Sequence, residues 1–196
     1  MSDPGNGPND EEIAISQGKV TLPKVLTYDE MDRFLSAIDD LEDLVACRVM
    51  LFGGLRVNEA CSLKVKDLQL ETLSVFVDQG KGGKDRLAPV DVHTLSLAKC
   101  YAKSAGLGLE DQLFQLAKRT LQRHVELIYQ RAGINWGATC HTLRHTCATW
   151  QLDQGIPLEV VRENLGHADI SVTQIYLHLN IRQRSRLYRD ATRFGT

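Results

Sequence analysis

No stretch of this 196-residue chain is apolar for long enough to cross a bilayer. The longest such run, Leu44–Leu55, is interrupted by Arg48. The opening residues, MSDPGNGPND, have no basic region followed by an apolar one, which argues against a secretory leader. The five cysteines, Cys47, Cys61, Cys100, Cys140 and Cys147, are odd in number and scattered, and none form a C-x-x-C pair. That argues against a disulfide framework or a zinc cluster and fits reduced thiols in the cytoplasm. There is no internal repeat, no low-complexity tract and no carboxylate cluster suited to Mg²⁺, so no metal or other cofactor is expected. The glycine-rich Gly80–Lys84 lacks the spacing and the Ser/Thr of a nucleotide-binding P-loop.

Net charge is also small, at −2, but it is unevenly spread. Residues 1–47 hold 3 Lys/Arg against 11 Asp/Glu, whereas residues 48–196 hold 20 against 14. Phosphate binding depends on a local basic face rather than on the total, so the second segment is compatible with a nucleic-acid partner.

The length suits one domain with a substantial core. Residues 1–22, rich in Gly, Pro, Asn and acidic groups, read as a flexible arm. Thr27-Tyr28-Asp29-Glu30 is a capping-box pattern before an apolar stripe of Met31, Phe34, Leu35 and Ile38. A second helix is expected over Leu41–Phe52, broken by Gly53-Gly54, and a short third over Val57–Leu63. Leu73, Val75 and Val77 alternate with Ser74 and Phe76, and Arg86–Val90 returns after the glycine-rich tip, which predicts a hairpin. A strand near Leu68–Leu70 would make the sheet three-stranded. Asp91 caps a helix running to Ser104. Gly106–Asp111 reads as a loop. Further helices are expected over Lys118–Ala132, Cys140–Gln154, Pro157–Leu165 and Ser171–Leu179, with a last one in the tail. The expected class is α+β, mostly helical, with one small antiparallel sheet.

Four segments carry groups suited to phosphoryl transfer. Arg56 follows the Gly-Gly break at a helix start, where a guanidinium can grip two phosphate oxygens. Glu59 lies three residues on, on the same face, and can hold it. Lys81 and Lys84 sit on the hairpin tip. An ammonium there can enter a DNA groove or protonate a leaving alkoxide. Lys84 reads as a solvated turn residue or a plain phosphate contact, and Arg86 as a further DNA contact. His141 and Arg144 are spaced i, i+3 on one helix behind the candidate cap Thr139, where the dipole favours an anion. His167 follows Gly166, a candidate helix C-cap, and Tyr176 lies in the next predicted helix.

Together the segments GLRVNEA, GKGGKDR, HTLRHT and LGHADISVTQIYLH resemble the successive signature boxes of the tyrosine recombinase, or phage integrase, family. The resemblance runs from about Leu22 to His178. It implies the DNA breaking-rejoining catalytic fold over residues 23–180, with Arg56 and Arg144 clamping the scissile phosphate. It further implies Lys81 as the general acid for the leaving 5′-oxygen, His141 assisting proton transfer and His167 donating to the phosphate. Tyr176 would be the nucleophile and Glu59 a supporting acid. The implied partner is double-stranded DNA, engaged as a tetramer by a chain that is monomeric when free. Residues 181–196 form a tail that packs on its own domain or docks on a neighbouring subunit. Family members usually carry an additional N-terminal helical domain. The resemblance therefore implies strand cleavage more directly than complete recombination. Type IB topoisomerase-like nicking and resealing, and a non-catalytic DNA-binding module of the same fold, are the alternatives.

Overall fold

The structure is a computed structural model that describes residues 23–78 and 85–166. It contains seven helices and a small sheet among those residues, in the order α1 (Tyr28–Ser36), α2 (Leu41–Phe52), α3 (Val57–Ser62), β1 (Leu68–Gln69), β2 (Ser74–Val77), β3 (Arg86–Pro89), α4 (Val92–Ser104), α5 (Lys118–Arg131), α6 (Cys140–Asp153) and α7 (Leu158–Leu165). A 3-10 turn at Val65–Asp67 leads into β1. This is the mostly helical α+β class with a three-stranded antiparallel sheet that the residue pattern predicts.

Helix α2 is the axis of the domain. Its residues Val45, Ala46, Cys47, Val49, Met50 and Leu51 are all buried. A helix apolar on most of its circumference must be surrounded, and α2 packs against α3, α4, α5 and α6. Helices α1 and α5 are amphipathic and lay one face each on this core, with Phe34 of α1 against Tyr129 of α5 at 4.6 Å between ring centroids. Burying one such large apolar side chain contributes roughly 1.5–3 kcal/mol. The capping box predicted for α1 is present: Thr27 Oγ1 accepts from the Glu30 N–H at 3.2 Å, and Glu30 Oε2 accepts from the Thr27 N–H at 2.9 Å.

The sheet runs β1-β2-β3, with Leu68 opposite Val75 and Val77 opposite Arg86. Val75 and Val77 point inward as expected, but Leu73 does not. Leu73 sits in the β1–β2 turn with φ +47°, a left-handed conformation that takes it out of the strand alternation and leaves it exposed. Pro89 is tolerated because β3 is an edge strand within the described sheet. The Gly106–Asp111 loop is fastened to the 3-10 turn: Val65 N–H donates to the Asp111 carbonyl and Lys66 N–H to that of Leu109.

The helices expected at Ser171–Leu179 and in the tail, and the arm at 1–22, lie outside the described residues. Among the described residues no helix is long and apolar enough to cross a membrane.

Candidate active site

Helix α2 ends at Gly53, and Gly54 turns the chain with φ +65°. A Cβ on Gly54 would lie 2.3 Å from Leu165 Cδ2 and 3.2 Å from Cys147 Sγ. Glycine is thus required twice over, by conformation and by close packing. The turn delivers Leu55 to the core and Arg56 to the N-cap of α3. A guanidinium cannot accept an N–H as a serine cap does. Glu59, at the third helical position, supplies the reverse half of the cap: Oε2 accepts the Arg56 backbone N–H at 2.8 Å. The same carboxylate accepts from Arg56 Nη1 at 2.9 Å.

Arg144 approaches from α6. Its side chain is 6% exposed. Nη1 donates to the Gly54 carbonyl at 2.5 Å and Nη2 to the Leu165 carbonyl at 2.6 Å. Both carbonyls lie at or just past helix C-termini, where a cation is favoured. Arg144 Nη1 is also 3.9 Å from Glu59 Oε2. Two arginines from separate helices therefore meet at one carboxylate. One turn earlier, His141 is half-buried in the first turn of α6. The start of that helix is closed by Thr142, whose hydroxyl accepts from the Thr139 N–H at 2.9 Å.

Arg86, expected as a DNA contact, is bonded within the protein. Its Nη1 and Nη2 donate to Glu59 Oε1 and Oε2 at 2.9 and 2.8 Å, and its Nε donates to the Asn164 carbonyl at 3.0 Å. The fork geometry of guanidinium and carboxylate explains the pairing. Glu59 thus serves Arg56, Arg86 and Arg144 together. Burial pushes the Glu59 carboxyl up, but the Arg86 guanidinium, the Arg56 N–H and the Arg144 charge outweigh it and hold the pKa down at about 2.

An open groove of about 600 Å³ begins at His141. Thr139, Cys140 and His141 line one side, and Arg119, Gln122, Arg123 and Glu126 of α5 the other. Sequence reasoning missed Arg119 and Arg123. Their i, i+4 spacing on a helix with buried Leu121 and Val125 was the available signal, but basic residues on an outer helix face are common. Lys81, Lys84, His167 and Tyr176 lie outside the described residues. Among the described residues no group of three or more His, Cys, Asp or Glu is placed to hold a metal ion.

The domain is thus mostly helical, with arginines from different segments gathered around one carboxylate. The match to the phage integrase family model spans residues 24–183, and the chain belongs to that family. It is 37% identical over 164 residues to the tyrosine recombinase XerA of Pyrococcus horikoshii, covering 80% of this chain and 57% of that protein. Its fold is similar to a crystal structure of XerA recombinase, with a TM-score of 0.77 at 30% identity over 87% of this chain and 66% of that one. It is likewise similar to XerH site-specific recombinase bound to difH substrate in a pre-cleavage complex, with a TM-score of 0.71 at 28% identity over 86% and 54%. The chain therefore spans between half and two thirds of the length of these relatives.

Proposed function

We propose that this chain cleaves and rejoins DNA strands through a 3′-phosphotyrosine intermediate formed at Tyr176. The observation that carries the reading is the convergence of Arg56 and Arg144 on Glu59, at 2.9 and 3.9 Å, from helices distant in sequence. Both guanidinium groups are thus held at one carboxylate, which supports reading them as fixed donors to a phosphodiester. A free tyrosine has a pKa of roughly 10, so only about one in a thousand is phenolate at neutral pH. Fixed cationic donors that lower this value, or a base that takes the proton during attack, make it a useful nucleophile.

In the reaction Tyr176 Oη attacks phosphorus and the bond to the 5′-oxygen breaks. Lys81 supplies the proton to that oxygen, His141 assists proton transfer, and His167 donates to a phosphate oxygen. One phosphate ester replaces another, so a 5′-hydroxyl can reseal the strand without ATP. The groove that begins at His141 carries Arg119 and Arg123 beside Glu126, and its two arginines suit the phosphate backbone, with Lys84 as a further contact. Glu59 and Arg86 hold the clamp rather than touch DNA. The expected working state is a tetramer on DNA assembled from free monomers in the cytoplasm, with residues 181–196 packing in cis or in trans.

The test is to present a library of randomised, nicked duplexes and capture covalent protein–DNA adducts. Recovery of adducts by the wild type and their loss in Tyr176→Phe is the expected result. Tight DNA binding by the wild type with no adduct would refute strand cleavage and favour a DNA-binding module.

A further inference from the structure

Arg86 joins three segments of the fold. Its side chain is 9% exposed, and all three of its nitrogens are engaged by Glu59 and the Asn164 carbonyl. It also lies flat against Gly166, where a Cβ would come within 2.9 Å of Arg86 Cδ and 3.1 Å of Nε. Gly166 closes α7 in the left-handed conformation, with φ +65°. The residue that ends this helix is thus small for two reasons, and one is to admit the arginine.

We propose that Arg86 is a positioning residue for strand cleavage: it ties β3, the end of α7 and Glu59 of α3 into one joint that fixes Arg56 and Arg144. The proposal rests on the cleavage reading above. Glu59 grips both the backbone and the side chain of Arg56 and lies 3.9 Å from Arg144 Nη1. The joint extends to α6, because Asn164 Nδ2 donates to Gln151 Oε1 at 3.0 Å, and α6 carries His141 and Arg144. Helix α7 and β3 pack against each other in the same place.

A lysine cannot replace this fork. It offers one point charge and cannot span both carboxylate oxygens and a carbonyl with fixed geometry. The consequence for catalysis is large because misplacing reacting groups by about 1 Å costs on the order of 100-fold in rate. A DNA contact would behave differently. It would alter affinity and lower the salt dependence of binding by about one unit of slope, with little effect on the rate once DNA is saturating.

The experiment compares the wild-type chain with Arg86→Met and Arg86→Lys. The duplex is one recovered as an adduct by the wild type. Single-turnover adduct formation is measured at saturating DNA, DNA affinity is measured across salt concentrations, and backbone hydrogen exchange is followed over 57–62, 86–89 and 158–166. For Arg86→Met the expected result is a rate lowered roughly 100-fold, with affinity and salt slope unchanged. Exchange is expected to rise in all three segments together. Arg86→Lys, the variant better placed to fold, is expected to recover less than about a tenth of the lost rate. An unchanged rate with weaker, less salt-dependent binding would overturn the proposal in favour of a DNA contact. An exchange increase confined to 86–89 would overturn it in favour of a local role. Should the wild type form no adduct, the cleavage reading fails by itself, and unchanged exchange at 57–62 and 158–166 then rejects the joint as well.

Discussion

Replacing Glu59 by glutamine leaves the size and shape of the side chain intact but removes the negative charge that Arg56, Arg86 and Arg144 share. The carboxylate is 8% exposed, so solvent does little to screen the loss. Its pKa, held at about 2 against an ordinary 4.5, sets the scale. A shift of about 2.5 units corresponds to roughly 3 kcal/mol of stability, within the range for breaking a buried ion pair. Because the folded-state pKa is depressed, this stability is fully present above about pH 4.5 and is lost as the pH falls through 4.5 towards 2. At neutral pH Glu59→Gln should therefore be less stable by roughly 3 kcal/mol, a drop in Tm of about 6–12 °C for a domain of this size. Urea unfolding at a series of pH values checks this, with the difference between wild type and variant isolating Glu59 from other carboxylates. That difference should shrink steadily between pH 4.5 and 2. Equal stability at pH 7, or a difference that persists unchanged to pH 2, would refute the claim that one carboxylate holds the cluster together.

Three further outcomes are expected. Alanine at Arg56 or at Arg144 should lower single-turnover adduct formation by about 100- to 1000-fold, as loss of a fixed donor to transition-state charge does; rapid-quench assays read this directly. Gly54→Ala must place a side chain at φ +65° and 2.3 Å from Leu165 Cδ2. A loss of about 2–4 kcal/mol in chemical denaturation is expected from the left-handed backbone and the overpacking together. Arg119→Ala and Arg123→Ala should each weaken DNA binding and lower the slope of log affinity against log salt by about 0.9, with unchanged cleavage at saturating DNA.

Much of the fold was legible because its signals are local. The capping box at Thr27–Glu30, the Gly-Gly break, the periodicity of α5 and the glycine closing α7 each act over a few residues, and each appears where the pattern put it. Leu73 was misread because alternation alone does not reveal a left-handed turn residue at a strand end. The Gly106–Asp111 segment is the loop expected, but its anchors lie some forty residues earlier, on the 3-10 turn, beyond the reach of any local pattern.

The chemical groups on offer, and the elements that carry Arg56, Glu59, His141 and Arg144, follow from local pattern. Which of the described groups meet is a matter of packing between distant elements. Arg86 is the example: its guanidinium lies on a carboxylate 27 residues away and a carbonyl 78 residues away. The reason is physical: a buried carboxylate must be compensated by fixed donors, and which donor supplies them depends on packing between α3, β3 and α7, contacts that no local pattern encodes.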